Sequence, residues 1–244
     1  MIQTDSKFMG DQPAIWKAQL PGRPLSGLTV LLVEDSHFAS EAMRLLCLKS
    51  GARIRRANCL RAAMRHLQTY RPAVVIVDMG LPDGNGADLI ALIATLGHRA
   101  PAILAISGNP DMGDSARAAG ADNFLAKPIE SLAVFQLSIL DALPPDRTRH
   151  ALRALPNGIV SPDRAMLHDD LLHVAEILST DCDGQTIGYA ARFLGGVARS
   201  AHDPALTEAA AALARDHAAG ENVADQKEQI NGLIQARLSA AGRA

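Results

Sequence analysis

The chain holds only three cysteines in 244 residues, Cys47, Cys59 and Cys182, with no Cys-x-x-Cys pair among them. So few thiols, odd in number and widely spaced, exclude a disulfide framework and a thiolate zinc site, and they agree with an intracellular setting. A long apolar run is missing too. Residues 1–26 carry Pro13, Pro21, Gly22 and Pro24 without the h-region of a signal peptide or the length of a membrane span. That stretch is expected to be a flexible extension in which Trp16, with Ile15 and Leu20, could dock as an apolar anchor. Positive charge is scarce where nucleic-acid binding would need it: residues 151–244 carry eight Lys plus Arg against twelve Asp plus Glu. Paired metal-binding histidines and a glycine- and acid-rich cyclase signature are likewise lacking, so an enzymatic output is not expected. The formal net charge of −2 fits a soluble cytoplasmic protein without membrane attachment.

What is present is a series of apolar runs that each end in a polar residue. Val74-Val75-Ile76-Val77 stops at Asp78, and Leu28-Thr29-Val30-Leu31-Leu32-Val33 runs into Glu34-Asp35-Ser36. Ala102-Ile103-Leu104-Ala105-Ile106 stops at Ser107-Gly108, and Asn123-Phe124-Leu125-Ala126 at Lys127-Pro128. Between them lie apolar residues at helical spacing, Ala42, Leu45, Leu46 and the stem of Lys49, then Leu60, Ala63, Met64 and Leu67. Strand alternating with helix predicts a doubly wound α/β domain around a five-stranded parallel sheet. In such a sheet the carboxyl ends of the strands share one rim, where open α/β sheets place their chemistry. Glu34, Asp35, Asp78, Ser107 and Lys127 would meet there. Carboxylates about 4 Å apart repel by roughly 4 kcal/mol at an effective dielectric near 20, which makes such a cluster costly without a cation. Oxygen donors with room for water suit magnesium and, through it, a phosphoryl group.

These residues, with Pro82 and Gly86 following Asp78 at fixed spacing, resemble the receiver domain of two-component response regulators, of the fold shared with flavodoxins and chemotaxis regulators. The likeness runs from Leu28 to Leu143. It implies that Asp78 is the phosphoacceptor, taking a phosphoryl group from a sensor histidine kinase or a phosphotransfer protein. It implies that Glu34, Asp35, Asp78 and the Gly80 carbonyl hold Mg2+, and that Lys127 and Ser107 contact the phosphoryl oxygens. A cis bond before Pro128 is implied as well. Ser107 and Phe124 occupy the positions of the family's switch pair; Phe124 as core packing is the alternative, since phenylalanine lacks the hydroxyl of the tyrosine often found there. Asp83 and Asp88 are assigned to a loop and the next helix, without chemistry. Glu34-Asp35 could also serve in a first helical turn.

One receiver does not fill 244 residues. The expected organisation is an extension over 1–26, the receiver over 27–143, a linker over 144–160 rich in proline and glycine, and a helical unit over 161–244. Ser161-Pro162-Asp163 reads as a cap with proline at the first helical position, followed by Leu167, Leu171, Val174, Ala175 and Leu178. A second stripe is Ile187, Ala190, Ala191, Leu194, Val197 and Ala198; Asp203-Pro204 starts a third helix that Gly220 ends, and Asn222 opens a fourth. Four amphipathic helices predict an antiparallel bundle or a dimerising module that binds a downstream protein target rather than DNA. The alternatives are a phosphorylation-gated DNA-binding regulator, or a bundle of the histidine phosphotransfer type. For the latter His168, His173, His202 and His217 are candidates by type, but none precedes the expected lysine-glycine pattern, and core or boundary positions are the expected reading.

Overall fold

A computed structural model describes residues 23–96, 100–145, 158–180 and 183–241. Trp16, Ile15, Leu20, Cys182 and most of the expected extension and linker lie outside these. The first unit alternates β1 (Thr29–Val33), α1 (His37–Ser50), β2 (Arg53–Ala57), α2 (Leu60–Thr69), β3 (Val74–Asp78), α3 (Gly86–Thr95), β4 (Ala102–Ser107), α4 (Gly113–Ala119), β5 (Asn123–Ala126) and α5 (Leu132–Ala142). The five strands form one parallel sheet in the order β2-β1-β3-β4-β5. A two-residue hairpin, Gly80–Leu81 against Gly84–Asn85, fills the turn after β3.

Side-chain alternation explains why both faces of the sheet are covered. Val30, Leu32, Val74, Ile76, Leu104 and Ile106 face α1 and α5, meeting Met43, Leu46, Phe135 and Ile139. Their neighbours Leu31, Val33, Val75, Val77, Ile103 and Ala105 face α2, α3 and α4, meeting Ala63, Leu89, Ile90, Ile93 and Ala116. The edge strand β2 is different: Arg53, Arg55 and Arg56 are exposed, charges that discourage pairing with another chain. On α1 the buried face is carried by Phe38, Met43, Leu46 and Cys47, whereas Ala42 and Leu45 are half-buried and Lys49 is exposed. The stripe is thus rotated from the one expected, because α1 tucks Met43 and Cys47 against the sheet.

The second unit is a bundle of α6 (Arg164–Ser179), α7 (Gly184–Ser200), α8 (Pro204–Ala218) and α9 (Ala224–Ala241). Its core joins Leu171, Val174 and Leu178 to Ala190, Leu194 and Val197, then to Leu206, Leu213, Ile230 and Ile234. Aspartates cap three of its helices: the Asp163, Asp183 and Asp203 carboxylates accept from the Ala165, Thr186 and Leu206 amides. Helix α6 therefore begins at Arg164 rather than at Pro162, since Asp163 is the capping residue.

The boundaries also differ from expectation at both edges of the receiver. Leu25 is fully buried in the sheet's first core, and its amide donates to the Ser50 carbonyl, so packing starts before residue 27. Residues 158–160 return to the receiver, where the Leu132 amide donates to Gly158, the Val160 amide donates to Glu130, and Val160 is buried. The bundle lies against the receiver, α6 and α7 packing on α1, and α7 also on the hairpin after β3.

Candidate functional site

Each acid of the rim is placed by the end of a strand. Asp78 is the last residue of β3, paired with Ile106 of β4, and Glu34 and Asp35 leave β1 beside it. The chain must then turn away tightly. Gly86 begins α3 so close behind Asp78 that a Cβ there would sit 2.0 Å from the Asp78 carbonyl oxygen. Any other residue would force the loop off the rim. Glu34 and Asp35 lie outside the first turn of α1, which starts at His37 with Ser36 as its cap. The Glu34 carboxylate instead accepts from the Ser36 amide at 3.1 Å.

The sheet brings all five rim residues into one cavity of about 160 Å³, lined by Glu34, Asp35, Asp78, Gly80, Ser107 and Lys127 together with residues of α7. Lys127 bridges two acids, its Nζ 2.5 Å from Glu34 Oε2 and 3.3 Å from Asp78 Oδ1. Lys127 is only 9 % exposed, Asp78 7 % and Glu34 3 %. The peptide bond from Lys127 to Pro128 is cis, and the Lys127 amide donates to the Ser107 carbonyl at 2.8 Å. Ser107 Oγ accepts from the Asn109 amide at 3.1 Å, leaving its proton free to turn into the cavity. Phe124, on β5, is partly buried against the second core beside Gly113. Asp83, given no chemistry from sequence, accepts from the Leu60 and Arg61 amides and so caps α2.

Electrostatically the rim is short of positive charge. Burial pushes the Glu34 carboxyl up to about 7, with Asp35 adding to the rise and Lys127 opposing it. Burial likewise raises Asp78 to about 7 against the pull of Lys127, and raises Asp35 to about 6 with the help of repulsion from Asp78. For Lys127, burial disfavours the ammonium, but Asp78 and Glu34 outweigh it and hold the pKa above its ordinary value. One carboxylate oxygen from each of Glu34, Asp35 and Asp78 lies within 4.8 Å of the others. An all-oxygen, triply acidic, largely dry cluster with a single lysine is the donor set that a hard divalent cation fits.

The second wall of the cavity was not read from sequence. Tyr189 of α7 donates its hydroxyl to Asp35 Oδ2 at 2.8 Å, and Arg192, Phe193, Gly196 and Arg199 line the cavity beside it. Asp170 of α6 anchors the contact: its carboxylate accepts from the Ser36 hydroxyl at 2.7 Å and from the His37 and Phe38 amides at 2.9 and 3.0 Å. It thereby satisfies two of the amides that α1 leaves open at its first turn. A signal existed, because Asp170 interrupts the stripe Leu167, Leu171, Val174 with an acid at a buried helical position.

The four histidines of the bundle are elsewhere, and none lines this cavity. His173 is exposed with its ring edge-on to Phe193 rather than in the core, since it lies off the Leu171–Val174–Leu178 stripe. His202 is exposed, 3.7 Å from Glu130, and His217 stands beside Gly184.

Among known proteins, residues 30–137 match the response regulator receiver domain. The chain is 29% identical over 133 residues to the KDP operon transcriptional regulatory protein KdpE of Escherichia coli, covering 54% of this chain and 56% of that protein. It is 32% identical over 130 residues to the response regulator protein FleR of Pseudomonas aeruginosa, covering 53% of this chain and 26% of that protein. The chain thus spans little more than half the length of KdpE. The receiver domain of a Pseudomonas aeruginosa sensor histidine kinase, with a magnesium ion coordinated in its active site cleft, is 26% identical with a TM-score of 0.44, covering 48% of this chain and 98% of that one. Among the described residues no helix is long and apolar enough to cross a membrane.

Proposed function

We propose, from the match of residues 30–137 to the response regulator receiver domain of two-component signalling, that Asp78 is the phosphoacceptor of this chain. The observation that carries the reading is the trio of buried Glu34 and Asp78 with half-buried Asp35, and Lys127 set between Glu34 and Asp78. A carboxylate oxygen of Asp78 attacks the phosphorus of a phosphohistidine on a sensor kinase or phosphotransfer protein. The P–O bond forms as the P–N bond breaks, the electron pair returns to the imidazole, and that ring takes up a proton from solvent. A Mg2+ ion held by Asp35, Asp78 and the Gly80 carbonyl, with Glu34 acting partly through water, would supply the positive charge that lets an anionic donor approach. Lys127 offers a compact ammonium to one phosphoryl oxygen, and the Ser107 hydroxyl turns to donate to another. As Ser107 turns inward, Phe124 gains room to follow, which changes the outer surface of α4, β5 and α5.

The unit from residue 161 onward then reads the modified state as an interaction or self-association domain with a protein target. Its acidic balance opposes DNA binding, a route by which a transcriptional regulatory protein such as KdpE, so named, could act. Salt-dependent binding of duplex DNA would reverse this assignment. For the phosphoacceptor itself, the test is intact-mass analysis after exposure to a small-molecule phosphoryl donor with Mg2+. The wild type gains one phosphoryl group and Asp78→Asn gains none; an unlabelled wild type, or a labelled Asp78→Asn, overturns the reading.

A further inference from the structure

The described residues leave a cation of the bundle aimed into the phosphoryl cavity with nothing to bind. Arg199, in the last turn of α7, lines the same cavity as Asp78, Ser107 and Lys127. Its Nε is buried and without a hydrogen-bond partner, and no carboxylate pairs with the guanidinium among the described residues. Burial holds its pKa below the ordinary arginine value. A buried, unpaired donor on a charged group is expensive, and an anion is the partner that would complete it.

The placement of that guanidinium is specific. It lies close against the backbone just after Ser107, where a Cβ on Gly108 would fall 2.6 Å from Arg199 Nη2 and 3.0 Å from Nε. The same Cβ would be 3.1 Å from the Cα of Gly196, so two glycines facing one another let α7 approach the rim backbone to backbone. Asp170 and Tyr189 pin the bundle in this position from the side of β1 and α1. Arg192 lies further out, exposed at the lip between this cavity and the groove beside the hairpin.

Charge then selects the ligand. With a divalent cation present, the three carboxylates and Lys127 are balanced, and Arg199 is in excess. Converting the Asp78 carboxylate to its acyl phosphate replaces one negative charge by two, and Arg199 matches the added one.

We propose that Arg199 is a phosphoryl-binding residue supplied by the helical bundle, so that a phosphoryl group on Asp78 holds α7 on the rim and locks the two units together. This rests on Asp78 being the phosphoacceptor. The bundle is therefore the second half of the phosphoryl site as well as the unit that reports its occupancy. A protein donor, which must reach Asp78 across the rim that α7 covers, meets the bundle displaced; transfer is followed by closure on Arg199.

The test is a calorimetric titration of the full chain with beryllofluoride in saturating Mg2+, on wild type, Arg199→Ala, Arg199→Lys and Asp78→Asn, together with amide exchange at His37 and Phe38. Charge-assisted hydrogen bonds of this kind are worth about 10- to 100-fold in affinity. Arg199→Ala is expected to weaken beryllofluoride by that factor with its affinity for Mg2+ alone unchanged, and Arg199→Lys to regain part of the loss. A merely structural arginine would shift both affinities or neither, and lysine would not restore it. In the wild type, beryllofluoride slows exchange at His37 and Phe38; in Arg199→Ala it does not. Equal beryllofluoride affinity in wild type and Arg199→Ala overturns the proposal, as does faster exchange on binding, which would mean that the bundle is expelled. Should Arg199→Ala prove misfolded by circular dichroism, the Lys and Gln variants carry the same comparison. A wild type that binds Mg2+ but no beryllofluoride instead refutes the phosphoacceptor reading itself.

Discussion

The receiver's wall of the cavity and the bundle's wall are built by different rules. Glu34, Asp35, Asp78, Ser107 and Lys127 follow the ends of strands locked in one parallel register, so the sheet assembles them whenever it folds. Tyr189, Arg192 and Arg199 share one side of a single helix; Arg192 and Arg199 line the cavity and Tyr189 bonds Asp35, all through the packing of α6 and α7 on α1. The first wall is intrinsic to its domain, and the second is conditional on docking. A contact that can be undone without unfolding either partner is the kind that a signal can set, since a two-state interface needs only a few kcal/mol of bias.

The intrinsic wall should break hardest. Gly86→Ala places a methyl group 2.0 Å from the Asp78 carbonyl oxygen and 2.9 Å from its carbon, both backbone atoms that no rotamer change can clear. Overpacking typically costs about 1–3 kcal/mol, and clashes with backbone atoms put this one near the upper end, about 3 kcal/mol. Urea denaturation should show that loss, with the phosphoryl acceptance proposed for Asp78 falling alongside it. A variant within about 0.5 kcal/mol of wild type, the scatter of neutral substitutions, would mean that the turn behind Asp78 is free to shift. The conditional wall should yield more gently and without global damage. Asp170→Ala strips the acceptor from two α1 amides and the Ser36 hydroxyl, a loss of about 2 kcal/mol by the range for capping residues. Exchange at His37 and Phe38 should accelerate while the strand amides keep their protection. Simultaneous loss of protection in β3 would show that docking and receiver folding are one event.

The same contrast decides what was legible in the sequence. Strand ends announce themselves: an apolar run closed by Asp78, and another closed by Glu34-Asp35, fix both the element and the place of its acid on the rim. The order β2-β1-β3-β4-β5 follows once strands and helices alternate. The bundle's helices were legible from their stripes and aspartate caps, but not the side of α7 that faces the receiver. Periodicity reports which residues are buried, not against what. Ile187, Ala190, Leu194 and Val197 mark one buried face, and the second face, Tyr189, Phe193, Gly196 and Arg199, mixes polar and apolar groups because it meets an acidic rim. Gly196 and Gly108 carry no pattern at all; their role is the absence of a side chain where two backbones meet. Only Asp170, an acid inside an apolar stripe, was a warning in plain sight.

Acidity separates the two regions by sign. In the receiver, burial holds Glu34 and Asp78 at about 7 and Asp35 at about 6, above their ordinary values of 4.5, 3.8 and 3.8. The folded, metal-free protein therefore binds protons that the unfolded chain has already released between about pH 4 and pH 7, so the rim costs stability as pH rises through that window. In the bundle, Asp203 accepts two bonds from Arg237, at 2.8 and 3.1 Å, and that pairing holds its carboxyl below 3.8. Its contribution is present above the unfolded value and disappears as the solution is acidified past it, the opposite slope and a lower window. Each tenfold change in proton affinity is worth about 1.4 kcal/mol, and the rim groups share their protons, so a net loss on the order of 2 kcal/mol between pH 5 and pH 8 is expected without metal. Added Mg2+ should flatten that slope by occupying the carboxylates in place of protons, and Asp78→Asn should reduce it without touching the acid limb that Asp203 governs. Stability rising with pH across this range in metal-free protein would mean that Lys127 already neutralises the rim, and that the three carboxylates await no cation.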